Sequence, residues 1–165
     1  MDWMRLVRHL ATSARAVRRR FPDAALSAIE AAIAAAEARH EPEIRFAVEG
    51  ALHPRAILRG VAPRDRAIAV FGELRVWDTE HNTGVLIYLL LADRDVEIVA
   101  DRGVAAVVSP SEWKAICRDM EAHLREDRYE EGALAGIRAA SDLLARHFPA
   151  GGPHRHEQPD RPVVL

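Results

Sequence analysis

Apolar residues recur at spacings of three and four over residues 2–19, which predicts an amphipathic helix with an arginine-rich opposite face. Proline disfavours helical geometry in the residue before it, so we expect this helix to end at Phe21-Pro22. A second helix follows to about His40, where abundant alanine supplies helix propensity. The apolar positions of the first helix are Trp3, Leu6, Val7, Leu10, Ala14 and Val17.

Three segments predict strands. Residues 43–52 alternate apolar with mostly charged side chains, which is typical of a strand. Residues 85–92 are apolar without interruption, which favours a strand covered on both faces. Residues 96–103 form the third predicted strand. The chain should therefore contain a sheet whose middle strand is buried.

The dipeptide Asp93-Arg94 offers a tight turn between the last two predicted strands, which should therefore form an antiparallel hairpin. With the turn centred on that dipeptide, Leu86 faces Asp101. The same geometry places the polar loop over residues 78–82 beside residues 101–103, at one end of the sheet.

Three further helices are predicted along the chain. Pro63 can open the first of them as its initial residue. The next helix should begin at residues 109–112, where a serine cap is followed by a proline and by a glutamate three positions after the cap. The last helix runs from about residue 129 to 147. The segment 150–165, rich in His, Arg and Pro, carries too little apolar surface to fold, so we expect a disordered tail.

This element order predicts the α/β class, as a three-layer α/β/α sandwich with helices on both faces of a small mixed sheet. The sheet combines a βαβ crossover, which is right-handed in nearly all proteins, with the antiparallel hairpin. We expect three regions: an amphipathic, arginine-rich helix over residues 1–20, an α/β domain over 21–149, and the tail over 150–165.

Composition adds limits on partners and location. Of the 165 residues 49% are apolar, enough to bury one core, and 23 basic against 25 acidic side chains argue against a nucleic-acid partner. Cys117 is the only cysteine, so no intrachain disulfide can form. No stretch approaches the about 20 apolar residues of a membrane span, and no signal-peptide pattern occurs, so we expect a cytoplasmic protein without a transmembrane segment.

The near-neutral total conceals two oppositely charged regions. Residues 1–20 contain six arginines against one aspartate, a net of +5, and residues 76–101 contain six acidic residues against one arginine, a net of −5. In the basic region Arg18, Arg19 and Arg20 are candidate binding residues for a phosphate, an anionic membrane surface or an acidic partner, although a solvated helix face is the simpler interpretation of such a stripe.

The acidic region carries the candidate chemistry. Asp78, Glu80 and Asp101 offer the hard oxygen ligands that Ca²⁺ or Mg²⁺ prefers, and the hairpin brings them to one end of the sheet. His81 and Arg102 are the candidate catalytic residues, as a proton relay and a phosphate-neutralising cation. Turn formation and ordinary ion pairs are the alternative roles, since the spacing matches no defined metal motif.

At these residues the chain resembles the TPM domain family, named after a thylakoid lumen phosphatase, a photosystem II repair protein and a receptor modulator. The resemblance rests on Asn82 with Gly84-Val85-Leu86 before the second strand, ADRDV at the hairpin turn, and REDRYEEG before the last helix. It covers residues 21–149 and identifies a short, stand-alone bacterial branch. It implies a small sheet sandwiched by helices, divalent-metal binding, and, from some plant members, acid phosphatase activity.

Two functions follow as hypotheses. The first is a binding or scaffold module in membrane-protein maintenance, whose partner is a protein, with membrane-anchored TPM or LemA-type proteins implied by the resemblance. The second is a metal-assisted acid phosphatase, in which the cation held by Asp78, Glu80 and Asp101 polarises a phosphoryl oxygen. The missing nucleophile and phosphate-loop motifs favour the first.

Overall fold

A computed structural model describes residues 3–151 and 157–165. Its four strands are β1 (Ile44–Glu49), β2 (Val85–Leu90), β3 (Asp95–Ala100) and β4 (Val163–Val164). They form one sheet in the order β3-β2-β1-β4. β1 is parallel to both β2 and β4, whereas β2 and β3 are antiparallel. The mixed sheet, the βαβ crossover and the hairpin are confirmed.

Eight helices flank this sheet among the described residues. They are α1 (Trp3–Ala11), α2 (Ala14–Arg20), α3 (Asp23–Glu37), α4 (Pro54–Leu58), α5 (Pro63–Glu73), α6 (Arg102–Ala105), α7 (Pro110–Arg125) and α8 (Tyr129–His147). None of them is long and apolar enough to cross a bilayer.

The core lies in two layers, one on each face of the sheet, because successive strand side chains point to opposite faces. Phe46 and Ile87 pack with α2, α3, α7 and α8 on one face. Ala47, Leu86 and Tyr88 pack with α1, α4 and α5 on the other. The predicted three-layer α/β/α sandwich is therefore confirmed.

The start signals of the later helices are also confirmed. Ser109 begins α7 through a reciprocal cap, in which its backbone N–H donates to Glu112 Oε2 (3.0 Å) and its hydroxyl accepts from the Glu112 N–H (3.4 Å). Cys117 on the same helix is buried, and burial raises the pKa of its thiol to about 12. It therefore packs as a small apolar side chain.

The N-terminal segment differs from the prediction of one helix. It breaks at Thr12 and Ser13, where the Thr12 hydroxyl donates to the Arg8 carbonyl (2.9 Å) and Ser13 is extended before α2. The predicted inner face is also wrong in part. Leu6 and Val17 are buried, but three other residues predicted to face inward are exposed, namely Trp3, Val7 and Leu10.

The hairpin register differs from the predicted one by two residues. Leu86 pairs with Val99, and not with Asp101. The expected tight turn is present over residues 91–94, closed by a hydrogen bond from Arg94 N to Leu91 O (3.1 Å), but its centre is Ala92-Asp93 rather than Asp93-Arg94. A two-residue shift leaves every side chain on its predicted face, which is why the layer assignment survives.

The tail prediction is wrong for residues 157–165. β4 pairs with β1, and Leu165 N donates to Val48 O (2.9 Å). Gln158 is buried and donates through its backbone N–H to Glu43 Oε2 (3.3 Å). Backbone pairing and polar contacts hold this segment on β1, and Val163 also packs against the core on that face of the sheet. The His-Arg-His stretch at 154–156 lies outside the described residues.

The edge strands of the sheet are β3 and β4. β4 is short and pairs with two residues of β1, Ala47 and Val48. On β3, Ile98 O accepts from Arg64 Nη1 (2.5 Å), the Ile98 N–H contacts the Cys117 thiol, and Val96 N donates to Glu121 Oε1 (3.5 Å). Side chains of α5 and α7 thus form hydrogen bonds with the backbone groups of β3 that face away from β2.

Candidate functional site

The predicted metal ligands lie near one end of the sheet but have separate roles. Asp78 and Glu80 are exposed in the loop between α5 and β2, and the Glu80 N–H donates to Glu157 Oε2 (3.1 Å). Asp101 is buried at the start of α6, where its Oδ1 accepts from the Arg102 N–H (2.7 Å). One carboxylate is therefore a helix cap while the other two face solvent.

No three His, Cys, Asp or Glu side chains within residues 3–151 and 157–165 are grouped so that they could hold a metal ion. The residues present therefore do not fit the predicted Ca²⁺ or Mg²⁺ centre, and the cation stays a prediction. The candidate catalytic residues are not assembled around one either. His81 is exposed, and Arg102 Nη2 donates to Asn82 Oδ1 (3.1 Å), which ties α6 to the loop.

Asp101→Ala is expected to lower the free energy of unfolding by about 1 kcal/mol, because the α6 N-terminus loses its cap. Asp78→Ala, an exposed control from the loop between α5 and β2, should change it by less than about 0.5 kcal/mol. Urea unfolding measures both. Calorimetry with Ca²⁺ and Mg²⁺ tests the alternative. If the unaltered chain binds either cation and both variants do not, Asp78 and Asp101 are metal ligands, and a purely capping role for Asp101 is wrong.

A polar network at the carboxyl end of β1 was missed by the sequence analysis. Tyr88 donates to Glu49 Oε2 (2.6 Å), which also accepts from Arg66 Nε (2.8 Å), while Arg66 Nη1 pairs with Glu73 (2.7 Å). Burial raises the pKa of Tyr88 above its ordinary value. The single hydroxyl in an otherwise aliphatic strand was the available signal. These groups satisfy one another and fasten α5 to the sheet.

The three predicted arginines lie together at the carboxyl end of α2. Arg18 and Arg19 are exposed on α2, and Arg20 is half-buried. The salt bridges among the described residues involve none of these three arginines. The Arg20 guanidinium instead lies over the Tyr129 ring, with 5.1 Å between its carbon and the ring centroid.

A cleft of about 730 Å³ opens where α2 meets the start of α8. Arg19, Arg20, Arg128 and Tyr129 line it together with acidic residues of α8. Arg128 is already paired with Glu126 (2.5 Å) and Glu131 (3.0 Å), so Arg19 and Arg20 supply its unpaired positive charge.

The sequence matches the family model of the TPM domain over residues 19–143. The chain belongs to the TPM domain family. The match spans α3 to most of α8 and therefore includes β1, β2 and β3, whereas α1 and β4 lie outside it. No curated protein matches the chain.

Two solved structures share the TPM fold of this chain. The BA42 protein from the psychrophilic bacterium Bizionia argentinensis is 28% identical with a TM-score of 0.75, over 86% of this chain and 92% of that one. The N-terminal domain of a P. gingivalis protein is 21% identical with a TM-score of 0.59, over 80% of this chain and 78% of that one. The second likeness concerns the fold alone.

Proposed function

We propose that this TPM domain protein is a binding module that recognises an acidic partner protein through Arg18, Arg19 and Arg20. The observation that carries the proposal is that three consecutive arginines at the end of α2 take part in no salt bridge among the described residues, which concentrates positive charge in one short segment. Guanidinium groups bind carboxylates bidentately, so an acidic segment is the matching ligand.

The cleft favours a defined contact over diffuse attraction. Tyr129 holds Arg20 by a cation–π contact and is itself held edge-on by Phe21, with 6.1 Å between ring centroids. A side chain that is already ordered loses less conformational entropy when it binds. Arg20 is therefore expected to contribute most to affinity, and the more exposed Arg18 and Arg19 mainly to the association rate.

The family resemblance supplies candidates for the partner. A membrane-anchored TPM or LemA-type protein with an exposed acidic segment would suit a scaffold role in membrane-protein maintenance. A metal-assisted phosphatase is not our preferred function, because the described acidic side chains do not group as metal ligands.

Arg20→Glu is expected to weaken binding of a fluorescently labelled oligo-glutamate peptide at least tenfold, since a central charged contact is worth about 1.4 kcal/mol or more. Fluorescence anisotropy at low salt measures the affinity, and added salt should weaken binding of the unaltered chain. Arg138→Glu is the matched control, an exposed arginine on α8 outside the cleft lining. An equal loss in the control, or no peptide binding by the unaltered chain, would refute the proposal.

A further inference from the structure

Helix α1 contacts the protein with its polar side. Arg5 Nε donates to Asp93 Oδ2 (2.9 Å), and His9 Nε2 lies 3.1 Å from Asp93 Oδ1. His9 Nδ1 accepts from the Leu52 N–H (2.9 Å), so the ring proton is on Nε2 and points to Asp93. The hairpin turn thus holds α1 by hydrogen bonds, with Leu6 as the large apolar side chain that it buries.

The outer face of α1 is apolar and exposed. Trp3 is 65% exposed, Met4 73%, Val7 49% and Leu10 65%. At 100° per residue these four positions span about 120° of the helix surface. A surface helix of a soluble domain normally turns such a stripe inward, so this contiguous stripe indicates an interaction surface.

Arginines lie beside this stripe and in the helix that follows it. Residues 3–22 contain six arginines and no acidic residue. Arg8 is next to the stripe on the helix surface and is half-exposed. Beyond the break at residues 12–13, Arg15, Arg18 and Arg19 are exposed on α2, and none takes part in a salt bridge among the described residues.

A cavity of about 470 Å³ lies at the carboxyl end of α1. Arg8, Arg20 and Arg94 line it together with Thr12 and Asp93. Arg8 is paired with Asp93 and Arg94 with Asp127, at 3.3 Å each, so Arg20 is the lining arginine without a salt bridge among the described residues. Three guanidinium groups against one carboxylate still give the cavity a net positive charge. A cationic cavity beside an exposed apolar ridge suits a molecule with an acyl part and an anionic head.

We propose that α1 docks this protein on an anionic lipid bilayer, with Trp3, Met4, Val7 and Leu10 in the headgroup–acyl boundary. The neighbouring arginines contact lipid phosphates, which is the composition of an interfacial helix. A second copy is the poorer occupant, because a two-fold contact through α1 would oppose two arginine-rich segments. The inference goes beyond the proposed function, since it rests on apolar side chains that the acidic-partner surface does not use.

Because α1 has nine residues, binding should be weak and reversible, and strongest where lipid charge is high. Sedimentation with phosphatidylserine–phosphatidylcholine vesicles is expected to recover the unaltered full chain, whereas pure phosphatidylcholine vesicles recover much less. Raising the salt concentration should release it from the charged vesicles.

Trp3→Ser and Val7→Ser should each lower the vesicle partition coefficient about tenfold. Trp77→Ser and Val107→Ser are matched controls, because both residues are 50% exposed and lie outside α1. They should stay within about twofold of the unaltered chain. All four positions are exposed, so near-native circular dichroism is expected throughout.

Four outcomes would overturn the inference. The unaltered chain does not sediment with charged vesicles, or it sediments equally with neutral ones. Alternatively, the control variants lose as much binding as the α1 variants, or Trp3→Ser loses self-association while it keeps vesicle binding. The acidic-partner proposal fails separately. Trp3→Ser should keep its affinity for oligo-glutamate, whereas Arg20→Glu should lose it, so each surface has its own readout.

Discussion

Gly84→Ala is expected to destabilise the protein by about 4 kcal/mol, because a backbone segment crosses directly over this glycine. An added Cβ would lie 1.8 Å from Val76 O and 2.9 Å from Val76 C. Those atoms belong to a buried residue between α5 and β2, so the clash cannot be relieved by rotating a flexible side chain. Relief would require the chain around Val76 to move away from the sheet.

Gly72→Ala is the matched control for this prediction. Gly72 lies within α5, and nothing approaches its added Cβ within 4 Å. There the extra methyl group should stabilise the protein by about 0.5–1 kcal/mol through helix propensity. Urea unfolding measures both free energies. A Gly84→Ala variant as stable as the unaltered chain would show that the crossing at Val76 is not tight.

Glu37→Gln is expected to remove most of the loss of stability that the protein suffers on going from about pH 5 to pH 9. Glu37 ends α3 and is buried, with its Oε1 accepting from the Ile44 N–H (2.8 Å). Burial, with the nearby Glu43 and Asp160 carboxylates, raises the pKa of Glu37 to about 9. The side chain is therefore protonated in the folded protein at neutral pH.

The sign of the pH dependence follows from proton binding. Above about pH 4.5 the unfolded chain releases the Glu37 proton, whereas the folded chain keeps it up to about pH 9. The contribution of Glu37 to the free energy of unfolding is thus fully present at acid pH. It falls by about 1.4 kcal/mol per pH unit between about pH 4.5 and pH 9. Glutamine keeps the acceptor for Ile44 and carries no proton to release.

Urea unfolding at several pH values between 5 and 9 measures this slope. Glu41→Gln provides the control, because Glu41 is exposed four residues beyond Glu37 and should leave the slope unchanged. Arg45 is the nearby positive charge, and its own burial lowers its pKa. The same slope in Glu37→Gln and in the unaltered chain would mean that other groups carry the pH dependence.

The element order could be predicted because local signals agreed with the final packing. The apolar run of β2 and the serine–proline–glutamate start of α7 each have one physical interpretation. The orientation of α1 does not follow from its pattern. Periodicity shows that a helix has two faces, and the buried carboxylate of Asp93, distant in sequence, decides which face turns inward.

The candidate site was predictable only to the level of the backbone. The hairpin argument placed Asp101 near the loop that carries Asp78, and hydrogen bonds link residues 101–103 to residues 82–84. The proximity of two backbone segments does not determine where a carboxylate points. The Asp101 side chain accepts a hydrogen bond from the Arg102 N–H at the start of α6. The arginines of α2 that take part in no salt bridge were simpler to predict, since an excess of like charges within a single segment leaves some of them unpaired.

The two edge strands of the sheet bear on how this protein tolerates crowding. An open strand is a template on which unfolded chains can stack into fibrils. Here Arg64 and Glu121 bind backbone groups of β3, and the other edge strand, β4, is only two residues long. Amyloid-type growth on β3 would first have to break the hydrogen bonds from Arg64 and to Glu121. If the chain gathers at high local density on a lipid surface, that protection lets neighbouring copies crowd together without fusing their sheets.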